Sequence, residues 1–135
     1  MSSIIDEIKL KIIFICHLIV VLFVTLTPFS NSNYFLFMHS IIVPFIMMHW
    51  VSNNDTCALT LVEKELRKRL NKDYTHNDCF TCKIIEPIYH FKNNNKNRAN
   101  TIYGITTILW SISLFKLYNR YKCGKISSIR DLFII

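Results

Sequence analysis

Apolar residues in this chain come in three long blocks separated by polar stretches, and within the blocks they follow no amphipathic period. The blocks are "KIIFICHLIVVLFVTLTP" over about 11–28, "YFLFMHSIIVPFIMMHWV" over about 34–51 and "TIYGITTILWSISLFKLY" over about 101–118. Coiled as helices at about 1.5 Å per residue, each is about 27 Å long, close to the hydrocarbon thickness of a bilayer. A soluble helix confines its apolar residues to one stripe, whereas these blocks are apolar around most of their circumference. The pattern predicts an all-α integral membrane protein, a single membrane domain over 1–135 with three transmembrane helices. A fourth membrane element over "KIIEPIYHF" is the alternative. The link "FSNSN" between the first two blocks is too short for anything except an antiparallel hairpin. The third block carries Thr106, Thr107, Ser111 and Ser113, and its small face of Gly104, Thr107 and Ser111 is expected to meet another helix.

The polar stretch 52–100 opens with a second kind of pattern. In "CALTLVEKELRKRL", Thr60 and Glu63 have the T-x-x-E spacing of a capping box, which predicts an amphipathic helix over about 60–71. Leu59, Val62, Leu66 and Leu70 recur at helical spacing, and Glu63 with Arg67 and Glu65 with Arg69 sit four apart. Too short and too charged to span, this helix is expected at the membrane interface behind Trp50. It would rest either on lipid or on the ends of the spans. "FKNNNKNRAN" is a solvated linker, and 119–135 is a basic tail.

Composition sharpens the picture. Of 135 residues, 51% are hydrophobic and only two are Gly and three Pro, which excludes low-complexity disorder, and the formal charge is +7. Lys and Arg are absent from "FSNSN" and dense in 52–100, so the positive-inside rule places the N-terminus and the 52–100 loop in the cytoplasm. Lys116, Arg120, Lys122, Lys125 and Arg130 run against that rule in a three-span topology. Basic charge beside the membrane implies anionic lipid headgroups, a membrane-protein partner or a second copy as partners. Nucleic acid is not expected, because aromatic and basic residues do not interleave as a single-strand binder requires. A cleaved signal peptide fits the first block poorly, given the mixed charge of Asp6, Glu7, Lys9 and Lys11 before it and Pro28 at its end.

Chemistry-bearing residues are few. Ionisable side chains inside a bilayer are costly and tend to have a role. His17 and His49 both fall toward the cytoplasmic ends of their helices, which makes them the candidate haem or cofactor pair. His39 lies too far away in depth to join His17. The competing reading is a neutral imidazole bonding a neighbouring helix. His76, Cys79, Cys82 and His90 give H-x2-C-x2-C-x7-H, with ligand types suited to zinc but no standard finger spacing. Free thiols or a local disulfide are the alternative there. Cys57 precedes a helix start with Glu63 nearby, yet no acid, base or oxyanion donor accompanies it, so no catalytic residue is assigned.

The two His-bearing spans His17 and His39, the segment "CALTLVEKELR" and Tyr74 together resemble a family of small bacterial inner-membrane proteins of unknown function, with relatives in large DNA viruses. The family signature is C-P-L-T-x-x-E-x-x-L-R, here carried by Cys57, Leu59, Thr60, Glu63, Leu66 and Arg67. Ala58 replaces its Pro, and "DCFTC" has no counterpart. The likeness covers roughly residues 17–89. It implies an integral membrane protein of three or four helices and no reaction, with Cys57, Thr60, Glu63 and Arg67 as a structural signature. The expected function is non-enzymatic, a basic cytoplasmic-face helix docking anionic lipid or a partner.

Overall fold

The computed structural model describes residues 2–70 and 95–135, and there every regular element is helical. Helix α1 runs Ser2–Leu26, α2 Asn33–Ser52, α3 Ala58–Leu70 and α4 Asn95–Lys122, with short 3-10 turns at Thr27–Phe29 and Ile129–Leu132. Two helical stretches, Ser3–Phe29 and Asn33–Ser52, are long and apolar enough to cross a membrane. By its internal contacts the chain forms two compact units, Met1–Val20 with Trp50–Ala99, and Val21–His49 with Asn100–Ile135.

Each helix stops for a local reason. Pro28 has no amide hydrogen to continue α1, and the chain tightens into a 3-10 turn that Ser30 N–H closes on Thr27 O at 2.9 Å. After α2 the backbone turns left-handed at Asn54 (φ 53°) and Asp55 (φ 60°), residue types that tolerate this region better than most. Asp55 N–H then folds back onto Trp50 O at 2.8 Å. At the end of α4, Gly124 takes φ 71°, with Gly124 N–H on Tyr121 O (3.1 Å) and Lys125 N–H on Arg120 O (2.9 Å). These paired bonds are a Schellman motif, which satisfies carbonyls that the helix end leaves open.

The second unit is held by bonds that repair two prolines. A proline inside a helix frees the carbonyl four residues before it. Pro44 lies inside α2 and so frees Ser40 O, and the Trp110 indole N–H of α4 donates to that oxygen at 2.9 Å. Val24 O lies four residues before Pro28, which stands just past the end of α1 and has no amide hydrogen to offer it, and His39 Nε2 of α2 donates to it at 3.1 Å. A carbonyl can only accept, so the imidazole carries its hydrogen on Nε2 and leaves Nδ1 to accept from Ser113 Oγ of α4 at 2.9 Å. His39 and Ser113 are both 0% exposed. Phe23 closes over the imidazole at a centroid separation of 5.7 Å, and Leu36 and Val43 are fully buried beside it on α2.

Further along, Lys116 donates to Ser30 O at 3.4 Å, and Arg120 donates to Asn31 O at 2.6 Å and to Asn33 Oδ1. Positions rise along α4 from 110 to 120 while their partners fall from Ser40 to Asn31, so α4 runs antiparallel to α2. The basic residues that seemed misplaced on charge grounds therefore include two that bind the hairpin turn. The packing face of α4 also differs from the one expected. Gly104, Thr107 and Ser111 are exposed, and the buried positions are Thr106 and Ser113. Small residues permit close approach but do not compel it, and the bond-forming Trp110 and Ser113 set the rotation of α4 instead.

The tail closes on itself and on α2. Asp131 Oδ2 accepts from Ser127 N (2.8 Å), Ser128 N (2.9 Å) and Ser127 Oγ (3.0 Å), while Asn33 Nδ2 reaches Asp131 O at 3.5 Å. Phe133 meets Phe37 edge-on at 5.7 Å.

Two outcomes are expected. In mixed micelles, Trp110→Phe destabilises the otherwise native chain by about 1–2 kcal/mol but costs clearly less in a Pro44→Ala background, where Ser40 O regains its helical donor. An equal cost in both backgrounds would contradict the repair. The backbone amides of Ser127 and Ser128, and then the Ser127 hydroxyl, hold the Asp131 carboxyl below its ordinary range. A depressed folded value contributes stability above the unfolded value and loses it as pH falls through the folded one. Amide exchange at Ser127 and Ser128 should therefore accelerate on acidification, beyond the intrinsic pH trend, only below the usual carboxylate range, and Asp131→Asn should remove that dependence.

Candidate functional site

In the first unit, the buried charge sits where α3 docks on α1. Leu61 N–H bonds to Cys57 O at 3.1 Å, so α3 begins at Ala58. This corrects the expected capping box, because Thr60 lies within the first turn and cannot serve as the cap. The chain has already left the left-handed turn at Asn54 and Asp55, and it can start coiling as soon as Cys57 offers its carbonyl. The earlier start places Thr60, Glu63 and Leu66 on one buried face, at three-residue spacing. The expected stripe is only partly inside, since Leu66 is buried but Val62 is exposed and Leu59 and Leu70 are half-buried.

Glu63 is 1% exposed and its carboxylate is divided between two helices. Oε1 accepts from Arg67 Nε at 2.9 Å on the same helix, and Oε2 lies 3.9 Å from His17 Nδ1 on α1. His17 is itself 4% exposed in an otherwise apolar helix. Burying a carboxylate is costly unless cations and donors surround it. Arg67 supplies that compensation through its Nε–H while 30% of its own side chain stays exposed. An acid next to an imidazole beneath a guanidinium is a stable polar clasp between α1 and α3.

The remaining sequence candidates are placed as follows. His49 is exposed near the C-terminal end of α2 and shares none of the burial of His17. Cys57 is half-buried at the entrance to α3 as a free thiol, while Cys16 and Cys123 are exposed. His76, Cys79, Cys82 and His90 lie outside the described residues, so the zinc candidate gains no geometry. Among the described residues, no three His, Cys, Asp or Glu side chains are grouped to hold a metal ion. For the haem candidate, His17 faces a carboxylate rather than an open cleft. Sequence reasoning placed Glu63 at a cap and missed its meeting with His17. The usable signal was that an ionisable residue in each of two nearby apolar faces calls for a partner.

No family model matches the chain, and neither a curated protein nor a solved structure matches it. What the fold itself defines is a class, a chain whose described residues are all-helical and, among them, bear two helices fit by length and composition to cross a membrane.

The clasp makes a test. Arg67→Met leaves a buried carboxylate short of its guanidinium and should cost about 2–3 kcal/mol, reduced from a fully buried case because Arg67 is partly wet. The double variant Glu63→Leu with Arg67→Leu should recover most of that loss. Denaturation in mixed micelles reads both, and a double variant worse than the single one would refute the clasp.

Proposed function

We propose that the chain is a three-span integral membrane protein without catalytic activity, whose basic α3 sits at the cytoplasmic membrane face and docks anionic lipid. The observation that carries this reading is the inverted distribution of polarity. The buried side chains include His17, Thr27, His39, Thr60, Glu63, Thr106 and Ser113, whereas Ile12, Ile15, Ile19, Leu22, Phe35, Phe45, Met48, Ile108 and Phe115 are exposed. Water would reverse that arrangement, and hydrocarbon favours it.

The third span rests on α4. Its hydropathy is lowered by hydroxyl residues, of which Thr107, Ser111 and Ser113 have hydrogen-bond partners. Thr107 Oγ1 donates to Tyr103 O at 2.7 Å and Ser111 Oγ to Thr107 O at 2.8 Å, while Thr106 and Ser113 are buried. A hydroxyl bonded to its own helix adds little cost on facing lipid. Running antiparallel to α2 from Trp110 to Arg120, α4 shares the depth of a helix that is itself long enough to cross. Its C-terminal end then lies on the side of the hairpin turn. Lys116 and Arg120 bind turn carbonyls there, so their charges have local partners and compete weakly with the basic 52–100 loop in setting orientation.

For α3, the support is its outer surface, where Leu61 and Val62 stand beside Lys68 and Arg69. Cys57, Thr60, Glu63 and Arg67 carry the family resemblance; Glu63 meets His17 of α1, Arg67 bonds Glu63, and Thr60 is buried on the same face of α3. That supports their role as a structural signature.

Native cysteines report the topology. In sealed cells, a membrane-impermeant maleimide should label a variant retaining only Cys123, and should label one retaining only Cys57 solely after permeabilisation. Labelling of both cysteines from one side would contradict three spans.

A further inference from the structure

Beside the clasp, α1 and α3 leave a cleft of about 500 Å³ between them. Ile12, Ile13, Leu61 and Val62 form its apolar floor, and Lys9 and Arg69 stand at its rim. Leu61 and Val62 are 47% and 49% exposed on a helix that is otherwise largely charged. Two cations from separate helices thus converge on the mouth of one greasy slot.

We propose that this cleft binds a single anionic phospholipid, with an acyl chain along the floor and the phosphate between Lys9 and Arg69. The proposal rests on the membrane reading above and adds a discrete site to it. Charge complementarity selects the ligand. A neutral lipid would cover the floor but bring no charge to Lys9 and to the terminal N–H groups of Arg69, whereas a soluble phosphate would meet the cations and leave Leu61 and Val62 wet. Glu65 also lines the cleft, and it accepts from Arg69 Nε at 3.3 Å. That bond steers the guanidinium at the rim and leaves its terminal N–H groups for a phosphate oxygen. Arg67, which serves Glu63, is not needed for the headgroup.

The site differs from diffuse attraction to a charged surface because it depends on position. Native mass spectrometry of the full chain, released from micelles containing equal phosphatidylglycerol and phosphatidylcholine, should show one phosphatidylglycerol retained in preference. Lys9→Gln and Arg69→Gln should each lower that retention about fivefold, the effect of one cation near an anionic lipid. Leu61→Gln should lower it with no change in charge, and Lys122→Gln with Lys125→Gln should leave it unchanged. Circular dichroism of each variant verifies that the helices persist. Equal retention of the two lipids, an equal loss in the Lys122 and Lys125 control, or retention that survives loss of both Lys9 and Arg69 would overturn the site. A chain that stays dispersed in buffer before any amphiphile is added would overturn the membrane reading as well, and that result is distinct from a lost lipid adduct.

Discussion

A backbone carbonyl without a donor is tolerable in water and expensive in hydrocarbon, because nothing in the lipid can replace the missing hydrogen bond. Pro28 and Pro44 leave two such carbonyls open, at Val24 and Ser40. Each is met by a ring N–H from another helix, His39 for the first and Trp110 for the second. The same imidazole then accepts from Ser113, so one side chain ties the end of α1, the middle of α2 and the middle of α4. The arrangement is directional as well as attractive. In the bilayer proposed above, apolar packing alone would let these helices slide or rotate, since lipid tails solvate Leu and Ile as well as another helix does. Fixed donors and acceptors remove that freedom.

The same logic governs the first unit, with charge in place of a freed carbonyl. Glu63 is buried by the docking of α3 and is compensated by Arg67 from its own helix and by the approach of His17. Because Arg67 sits one turn beyond Glu63, the compensation is built into the sequence of α3 and travels with it. His17 gives the docking its register along α1. Polar residues therefore specify how the helices meet, while exposed Ile, Phe, Leu and Met would supply the affinity for lipid in the membrane reading proposed above.

Much of the helical layout was legible. The second apolar block, read as 34–51, is α2 at Asn33–Ser52, because a run of that length bounded by Asn and Ser on both sides has few other ways to end. The third block, read as 101–118, is longer as Asn95–Lys122, since polar residues extend a helix beyond its greasy centre at little cost. The entry to α3 was misread by two residues because a T-x-x-E spacing also suits an internal face, and only the partner helix shows which use is made. Residue spacing could predict that Pro44 frees Ser40 O. It could not predict Trp110 as the donor, because that choice depends on the packing of segments 70 residues apart. Likewise, His39 was visible as an imidazole in an apolar block with a bonding role, but its two partners on α1 and α4 were not. The cofactor candidates on His76, Cys79, Cys82 and His90 stand as sequence motifs outside the described residues.

The account depends most directly on the protonation pattern of the His39 ring, since Val24 O can accept only from Nε2–H and Ser113 can donate only to a bare Nδ1. Nitrogen-15 NMR of selectively histidine-labelled protein in lipid bilayers, with His39 assigned by its absence in His39→Gln, reads this pattern at neutral pH. The account predicts a single neutral tautomer with hydrogen on Nε2 and Nδ1 unprotonated. Hydrogen on Nδ1, or rapid averaging between the two nitrogens, would contradict it.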